Sequence, residues 1–475
     1  MTVSTAKKIG IFSLAMISVG AVLSVRNYPS MAIYGWSSIG WYVLGTLLFL
    51  IPLTLASAEL ATGWSKGGGV YQWVKQAFGP KAGFIAIFCE WSNNLVWFPT
   101  VLSFIAGTFA FAFDPELANN GTYMFIVMMI AFWGCTLVAW LGPKLTARFN
   151  NVGVLLGSIV PSILLIVFGL VYLAQGKPLQ LPGFSWEATL PQIDISTLPF
   201  VATIVLLFAG MEMAGFHALS VKNPKRDFPR AMLLAASIIV VATVLGTLAL
   251  AWVIPVDELN LAAGIMQAFS SFFDAFGLTS LIPWMAVLLT MGGLALLTNW
   301  LVGPALGLGA TSAEGLMPPF TRRLNKQGVP TGMLIIQGLI ATGISLLYVF
   351  SPSVNQAYWV LSALTVMLLC ITYMFIFAAV IRLRISQPET PRAFKIPGGL
   401  MGVWLIGGIG FLASAFTFVI GCLPTTTTQI PFAGYVAIML AGTAFLALPP
   451  LVFMKFRKPS WVASAQERKA LGVEE

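Results

Sequence analysis

The sequence predicts an all-α polytopic membrane protein of twelve transmembrane helices. Three observations carry that fold class: an apolar composition with very little charge, a series of runs long enough to cross a bilayer, and basic residues confined to alternate loops. Of 475 residues, 58% are hydrophobic and 9% charged, whereas a soluble domain carries roughly a quarter charged residues. Too little polar surface remains to cover a water-soluble globule, which excludes a soluble enzyme, a nucleic-acid binder and a disordered chain. The four cysteines, Cys89, Cys135, Cys370 and Cys422, sit inside apolar stretches and form neither a disulfide framework nor a CxxC metal pattern. His217 is the single histidine, so a multi-histidine metal site is not expected, and neither is a cofactor.

A helix crosses the ~30 Å hydrocarbon layer with about 20 apolar residues. Twelve runs meet that length, at about 9–33, 39–63, 83–112, 122–141, 152–175, 197–219, 231–254, 279–308, 331–350, 357–381, 402–423 and 432–454. The first follows Lys7 and Lys8, yet it is too long for a secretory signal core and no small-residue cleavage site follows it. None alternates polar and apolar residues as a barrel strand does, and in lipid a helix keeps every backbone group paired. The connections are too short to hold a soluble domain, and the tail 455–475 is polar and expected to be mobile.

Charge sets the orientation. With both termini cytoplasmic, 23 of the 25 basic residues fall on the inner side, from Lys7 and Lys8 to Lys455, Arg457, Lys458, Arg468 and Lys469 in the tail. The outer loops hold Lys177 alone, beside Asp114, Glu116, Glu187, Asp194, Asp257 and Glu258. This is the positive-inside pattern, so the net charge of +9 reads as topology and not as a nucleic-acid patch. A miscount by one helix would put alternate basic loops on the wrong side, so charge supports twelve spans independently of hydropathy.

Two runs contain features that a structural helix avoids. The first holds Gly20, Arg26, Asn27 and Pro29 near its middle; proline removes a backbone donor, and an arginine facing lipid is costly. The sixth reads Phe208-Ala209-Gly210-Met211-Glu212, a carboxylate between Gly210 and Gly215. The two runs are five apart. Interrupted helices in corresponding positions point to a transporter with an inverted repeat and a substrate held at the breaks. There the exposed N–H groups suit a substrate carboxylate and the freed carbonyls an ammonium group, which is a recipe for an amino acid. A bland alternative stands beside this one: glycines for close helix packing and prolines as simple kinks.

The residues also resemble a known family. Ile51-Pro52 with Ala58-Glu59-Leu60-Ala61, Gly68-Gly69-Val70-Tyr71-Gln72-Trp73-Val74, Gly210-Met211-Glu212 and Lys222-Asn223-Pro224-Lys225-Arg226-Asp227-Phe228-Pro229-Arg230-Ala231 are similar to motifs of the amino acid–polyamine–organocation (APC) transporter superfamily. Asn260-Leu261-Ala262-Ala263-Gly264-Ile265-Met266-Gln267, Asn299-Trp300-Leu301-Val302-Gly303-Pro304 and Phe394-Lys395-Ile396-Pro397-Gly398-Gly399 resemble the bacterial glutamate:GABA antiporter family within it. The resemblance implies a LeuT-like 5+5 inverted repeat plus two helices: one transmembrane domain with repeat 1 at about 9–175, repeat 2 at about 197–381, appended helices at about 402–454 and a cytoplasmic tail. It also implies alternating access, exchange of an amino acid for a related metabolite, a bacterial inner-membrane location and a gating role for Phe208. The chain departs from the family at Arg26, where the antiporter has tyrosine, at Leu296, where it has glutamate, and in a short C-terminus where the antiporter has a long plug.

The ionisable residues within spans are Arg26, Glu59, Glu90 and Glu212. Glu59 lies near the cytoplasmic end beside Lys66, a structural or gate position. Glu212 follows the sixth-span break and either accepts backbone N–H bonds there or carries a proton. Glu90, in Cys89-Glu90-Trp91-Ser92-Asn93-Asn94, is either functional or packed. Arg26 either contacts substrate, where bidentate geometry favours an additional carboxylate, or pairs with Glu90 or Glu212. The expected substrate-binding set is Gly20, Val22, Leu23, Ser24, Arg26, Glu90, Trp91, Asn94, Phe208, Ala209, Gly210, Glu212, Asn299 and Trp300. Its partners are an amino acid, a counter-substrate and the lipid bilayer, with oligomeric state open, a homodimer included. A proton- or sodium-coupled permease, a uniporter and a polyamine or cationic amino acid exchanger are the alternatives.

Overall fold

The computed structural model of the chain describes residues 10–64, 69–212, 224–426 and 428–470, and those residues contain helices, turns and loops. The chain enters through α1 (Ile11–Val22), breaks, and resumes in a 3-10 turn (Val25–Asn27) and α2 (Tyr28–Ala32). A continuous run then carries α3 (Ser38–Gly45), a π turn (Thr46–Leu50) and α4 (Ile51–Gly63). Next come α5 (Val70–Phe78), α6 (Pro80–Ala110) and α7 (Gly121–Trp140). After these, α8 (Pro143–Val154), a second π turn (Leu155–Ile159) and α9 (Val160–Ala174) close the first half. The second half holds α10 (Thr203–Phe208), α11 (Pro224–Val253), α12 (Gly264–Phe276), α13 (Ile282–Ala313), α14 (Thr331–Ser345), α15 (Leu347–Phe350) and α16 (Val354–Ser386). It is followed by α17 (Gly399–Gly421), α18 (Phe432–Ala447), α19 (Pro449–Lys455) and α20 (Ala465–Ala470).

Among the described residues nine helical runs are long and apolar enough to cross a bilayer, ten when the bent pair formed by α1 and α2 counts as one. The sequence expects twelve, and the shortfall has a local cause at each missing place. The third run forms α6, 31 residues long, but Glu90, Ser92, Asn93 and Asn94 at its middle dilute its apolar character. The sixth supplies only the short apolar helix Leu198–Phe208 before residues 213–223, which lie outside the described set together with His217.

Burial ranks the helices by depth. In α16 72% of the most apolar stretch is buried, against 28% in the run Phe432–Lys455, so α16 is central and the last hairpin faces lipid. At one crossing the backbones nearly touch: a Cβ built on Gly292 of α13 would lie 2.1 Å from the Gly157 carbonyl oxygen in the second π turn. Only glycine allows that approach.

Two charged clusters tie helices to the segments beyond their ends. Glu59, fully buried on α4, accepts from Nε of Arg384 (2.7 Å), Nη1 of Arg392 (2.8 Å) and the N–H of Ile396 (2.8 Å), and Arg384 Nη2 donates to its other oxygen as well. The sequence places Glu59 beside Lys66; Lys66 lies outside the described residues, and the charges that meet Glu59 come from the end of α16 and the segment after it. The tail, expected to be mobile, is docked. Glu467 on α20 binds the Arg322 guanidinium at 3.1 Å, Arg322 also donates to the Trp461 carbonyl (2.7 Å), and the Ala463 N–H donates to the Ala313 carbonyl (3.0 Å). Sequence reading took a polar tail for an unanchored one because the anchor, Arg322, lies 145 residues away.

Candidate functional site

The site begins with two backbone interruptions. In the first run Leu23 ends α1 with an extended backbone (φ −66°, ψ 112°) and Ser24 is extended too (φ −139°, ψ 120°). The axes on either side differ by 48°. The local residues explain the position: β-branched Val22 and Val25 flank the break, and Pro29, whose missing N–H suits a helix start, sits in the first turn of α2. The Ser24 side chain does not cap the turn that follows, so it leaves that turn's leading N–H groups to other acceptors. In the sixth run α10 stops at Phe208, Ala209 is extended (φ −61°, ψ 143°) and Gly210 adopts φ +99°, a conformation that favours glycine. Glu212 turns back on this break and accepts the Gly210 N–H at 3.0 Å, while the Tyr373 hydroxyl of α16 donates to the same carboxylate at 3.3 Å.

One cavity lies between the breaks. Val22, Ser24, Arg26 and Asn27 line it from the first run, and Leu206, Ala209, Gly210 and Glu212 from the sixth. Glu90, Asn93, Asn94 and Trp97 come from α6, Leu296 and Trp300 from α13, and Leu369 from α16. A roomier cavity, walled by Trp41, Leu48, Phe49, Ile204, Leu412 and Phe416 among others, is almost wholly apolar and borders lipid-exposed leucines. Of these two, only the first has charged side chains in its lining.

The charged groups of the central cavity are unequally satisfied. Arg26 is 2% exposed. Its Nη1 donates to Thr100 Oγ1 (2.8 Å) and to the Tyr358 hydroxyl (3.5 Å), and its guanidinium carbon lies 5.6 Å from the centre of the Trp97 ring. Its Nε is buried without a partner, and among the described residues no carboxylate stands within ion-pair distance of it. The internal pair with Glu90 or Glu212 that the sequence allowed is therefore not formed. No donor among the described residues reaches the buried Oε2 of Glu90, while its backbone carbonyl accepts from the Asn94 side chain (2.8 Å). Glu212, in contrast, is engaged by Gly210 and Tyr373. A guanidinium without a carboxylate partner and a buried carboxyl oxygen without a hydrogen bond, both lining one cavity, are costly unless something completes them.

Of the residues singled out in sequence, Val22, Ser24, Arg26, Glu90, Asn94, Ala209, Gly210, Glu212 and Trp300 line this cavity. Five others do not. Gly20 is exposed on α1, and Leu23 is half-buried within the break. Trp91 is turned away from the cavity, and its indole N–H reaches Gln337 (3.3 Å). Phe208 is fully buried, with its ring beside Gly45. Asn299 lies in a separate cavity and accepts from Asn150 (3.3 Å). Sequence reasoning missed Trp97, Thr100, Tyr358 and Tyr373. The first two were legible in principle: 90, 93/94, 97 and 100 recur at helical spacing on one face of α6. The tyrosines of α16 carry no local signal, because their partners are over 150 residues away.

With this geometry in place, the comparisons with known proteins are informative. A family model described as amino acid permease matches residues 9–444. An uncharacterized transporter of Legionella pneumophila is 37% identical over 463 residues, covering 94% of this chain and 97% of its own. A glutamate/gamma-aminobutyrate antiporter of Lactococcus lactis is 31% identical over 454 residues, covering 94% and 90%. A probable agmatine/putrescine antiporter of the same species is 23% identical over 457 residues, covering 94% and 95%. These matches run through both interrupted helices and the cavity between them, and the chain belongs to the amino acid permease (APC) family of membrane transporters and is not an enzyme.

Proposed function

We propose that the protein is a secondary active amino acid antiporter of the bacterial inner membrane, with both termini cytoplasmic. It exchanges an amino acid bearing an additional carboxylate for a related metabolite by alternating access. Twelve spans arranged as two inverted groups of five plus two is the architecture that goes with this reading, α6 and the interrupted sixth run counting as spans. The observation that carries it is the pair of incompletely bonded groups, the Arg26 guanidinium and the Glu90 carboxyl oxygen Oε2, among the lining residues of one cavity between two helix breaks. The N–H groups past the first break receive the α-carboxylate. Glu90 and the freed carbonyls receive an ammonium group, and the unused edge of Arg26 takes the further carboxylate. Ser24, Asn94, Ala209, Gly210 and Trp300 line the path, and Glu212 holds the second break in shape. Gly20, Leu23, Trp91, Phe208 and Asn299 contribute from outside the wall, through the packing of its elements.

The relative named for agmatine/putrescine suggests a cationic substrate as a second reading, but an arginine without a carboxylate partner in the cavity favours a ligand that brings a carboxylate. Proteoliposomes test both points. Glutamate uptake is expected to require amino acid or amine inside the vesicle; equal uptake into empty vesicles makes the protein a uniporter or an ion-coupled permease. In competition, acidic amino acids are expected to displace the label better than neutral or basic ones. Arg26→Ala is expected to weaken the acidic competitors by roughly 10- to 100-fold, the worth of a charged hydrogen-bonded pair. An unchanged ranking removes Arg26 from the substrate site.

A further inference from the structure

We propose that Thr100 and Tyr358 are positioning residues that hold Arg26 as the anion-selecting element of the cavity; the proposal rests on the reading of Arg26 as a substrate contact. The protein shows two ways of burying arginine. Arg384 and Arg392 both bind one carboxylate, Glu59, which spends all its acceptor capacity on them and on the Ile396 N–H. Arg26 is treated differently. It meets a hydroxyl of α6, a hydroxyl of α16 and the face of Trp97, three neutral groups that fix its direction and leave its charge whole.

The hydroxyls are arranged to act only as acceptors toward it. Thr100 Oγ1 donates its proton to the Trp97 carbonyl at 2.7 Å, and the Tyr358 hydroxyl donates to Asn27 Oδ1 at 3.3 Å. Each hydroxyl has one proton, and both protons are committed away from the guanidinium, which turns lone pairs toward Nη1. With Nη1 held, neither Nε nor Nη2 donates to any protein atom among the described residues. Those two nitrogens form one edge of the planar fork, the edge that matches a carboxylate bidentately. A long, flexible side chain is thus ordered before the ligand arrives, and preorganisation of this kind shows up as selectivity and affinity.

The test is the preference for L-glutamate over L-glutamine, which differ at the carboxylate alone, measured on the purified full-length protein by displacement of labelled glutamate and by uptake into proteoliposomes. Thr100→Val keeps the shape and removes the acceptor. It is expected to lower glutamate affinity about tenfold more than glutamine affinity, and Thr100→Ser is expected to restore the preference. Tyr358→Phe, which removes the longer contact, is expected to act in the same direction but less. Equal loss for both ligands, or failure of serine to rescue, means a packing role and overturns the proposal. Arg26→Ala, run in parallel, separates the two levels. If it leaves the preference intact, the arginine reading itself has failed. If it abolishes the preference while Thr100→Val and Tyr358→Phe leave it intact, Arg26 selects without their help. Should Thr100→Val fail to fold, Tyr358→Phe alone decides between these outcomes.

Discussion

At the scale of single residues, the contrast among the buried charges is the most informative result. Glu59 accepts from two arginines and a backbone amide in a position without solvent exposure. Removing one partner of such a cluster leaves buried charge uncompensated, at a typical cost of about 3–5 kcal/mol. Glu59→Gln is therefore expected to lower the unfolding temperature of the detergent-purified protein markedly, and adding Arg392→Gln to recover part of the loss. An unchanged melting temperature in the single variant contradicts a structural role for the cluster. Glu59 and Glu212 were recognisable as buried carboxylates in the sequence. Their partners were not, since Arg384, Arg392 and Tyr373 lie more than 150 residues further along the chain.

At the scale of elements, the breaks in the first and sixth runs follow from chemistry that is local. Gly210 needs a positive φ, and the restart of the first run is prepared by Pro29. Helix packing is less local. The Gly157–Gly292 crossing brings a π turn against α13 with no room for one further carbon. Gly292→Ala must push those elements apart and is expected to cost about 1–3 kcal/mol or more, read as reduced thermal stability and folded yield. Gly303→Ala, on the same helix with open space around the added methyl, is expected to be close to neutral. If the two behave alike, the close approach is not what that glycine provides.

At the scale of the whole molecule, the C-terminal segment closes onto the body of the bundle. Ser464 and Glu467 form a reciprocal cap at the start of α20, and Glu467 also accepts from Arg322. The Arg322 hydrogen bonds, with those from Ser464, hold the Glu467 carboxyl below its usual pKa. A carboxylate with a depressed pKa in the docked state stabilises docking above the ordinary glutamate range, and that contribution is lost as pH falls through the lowered value. Hydrogen exchange or protease cleavage around residues 461–468 is expected to be slow at pH 7 and to accelerate below about pH 4, where a free glutamate also protonates. Glu467→Gln is expected to show the fast behaviour at both pH values. Because Glu467 is exposed, the effect is modest and weakens with salt.

What the sequence by itself determined was the class of molecule, the runs that leave the aqueous phase, the places where two of them break and the carboxylates buried among them. Each of these depends on composition or on neighbours within one or two helical turns. What only the tertiary structure decided was the use of the charges: Arg26 resting on hydroxyls with one edge free, Glu59 consumed by two arginines, Asn299 and Phe208 off the cavity wall, and the tail anchored at Arg322. Those outcomes depend on which helix faces which, and a side chain's partner in a packed bundle is set by long-range crossings that no short stretch of sequence encodes.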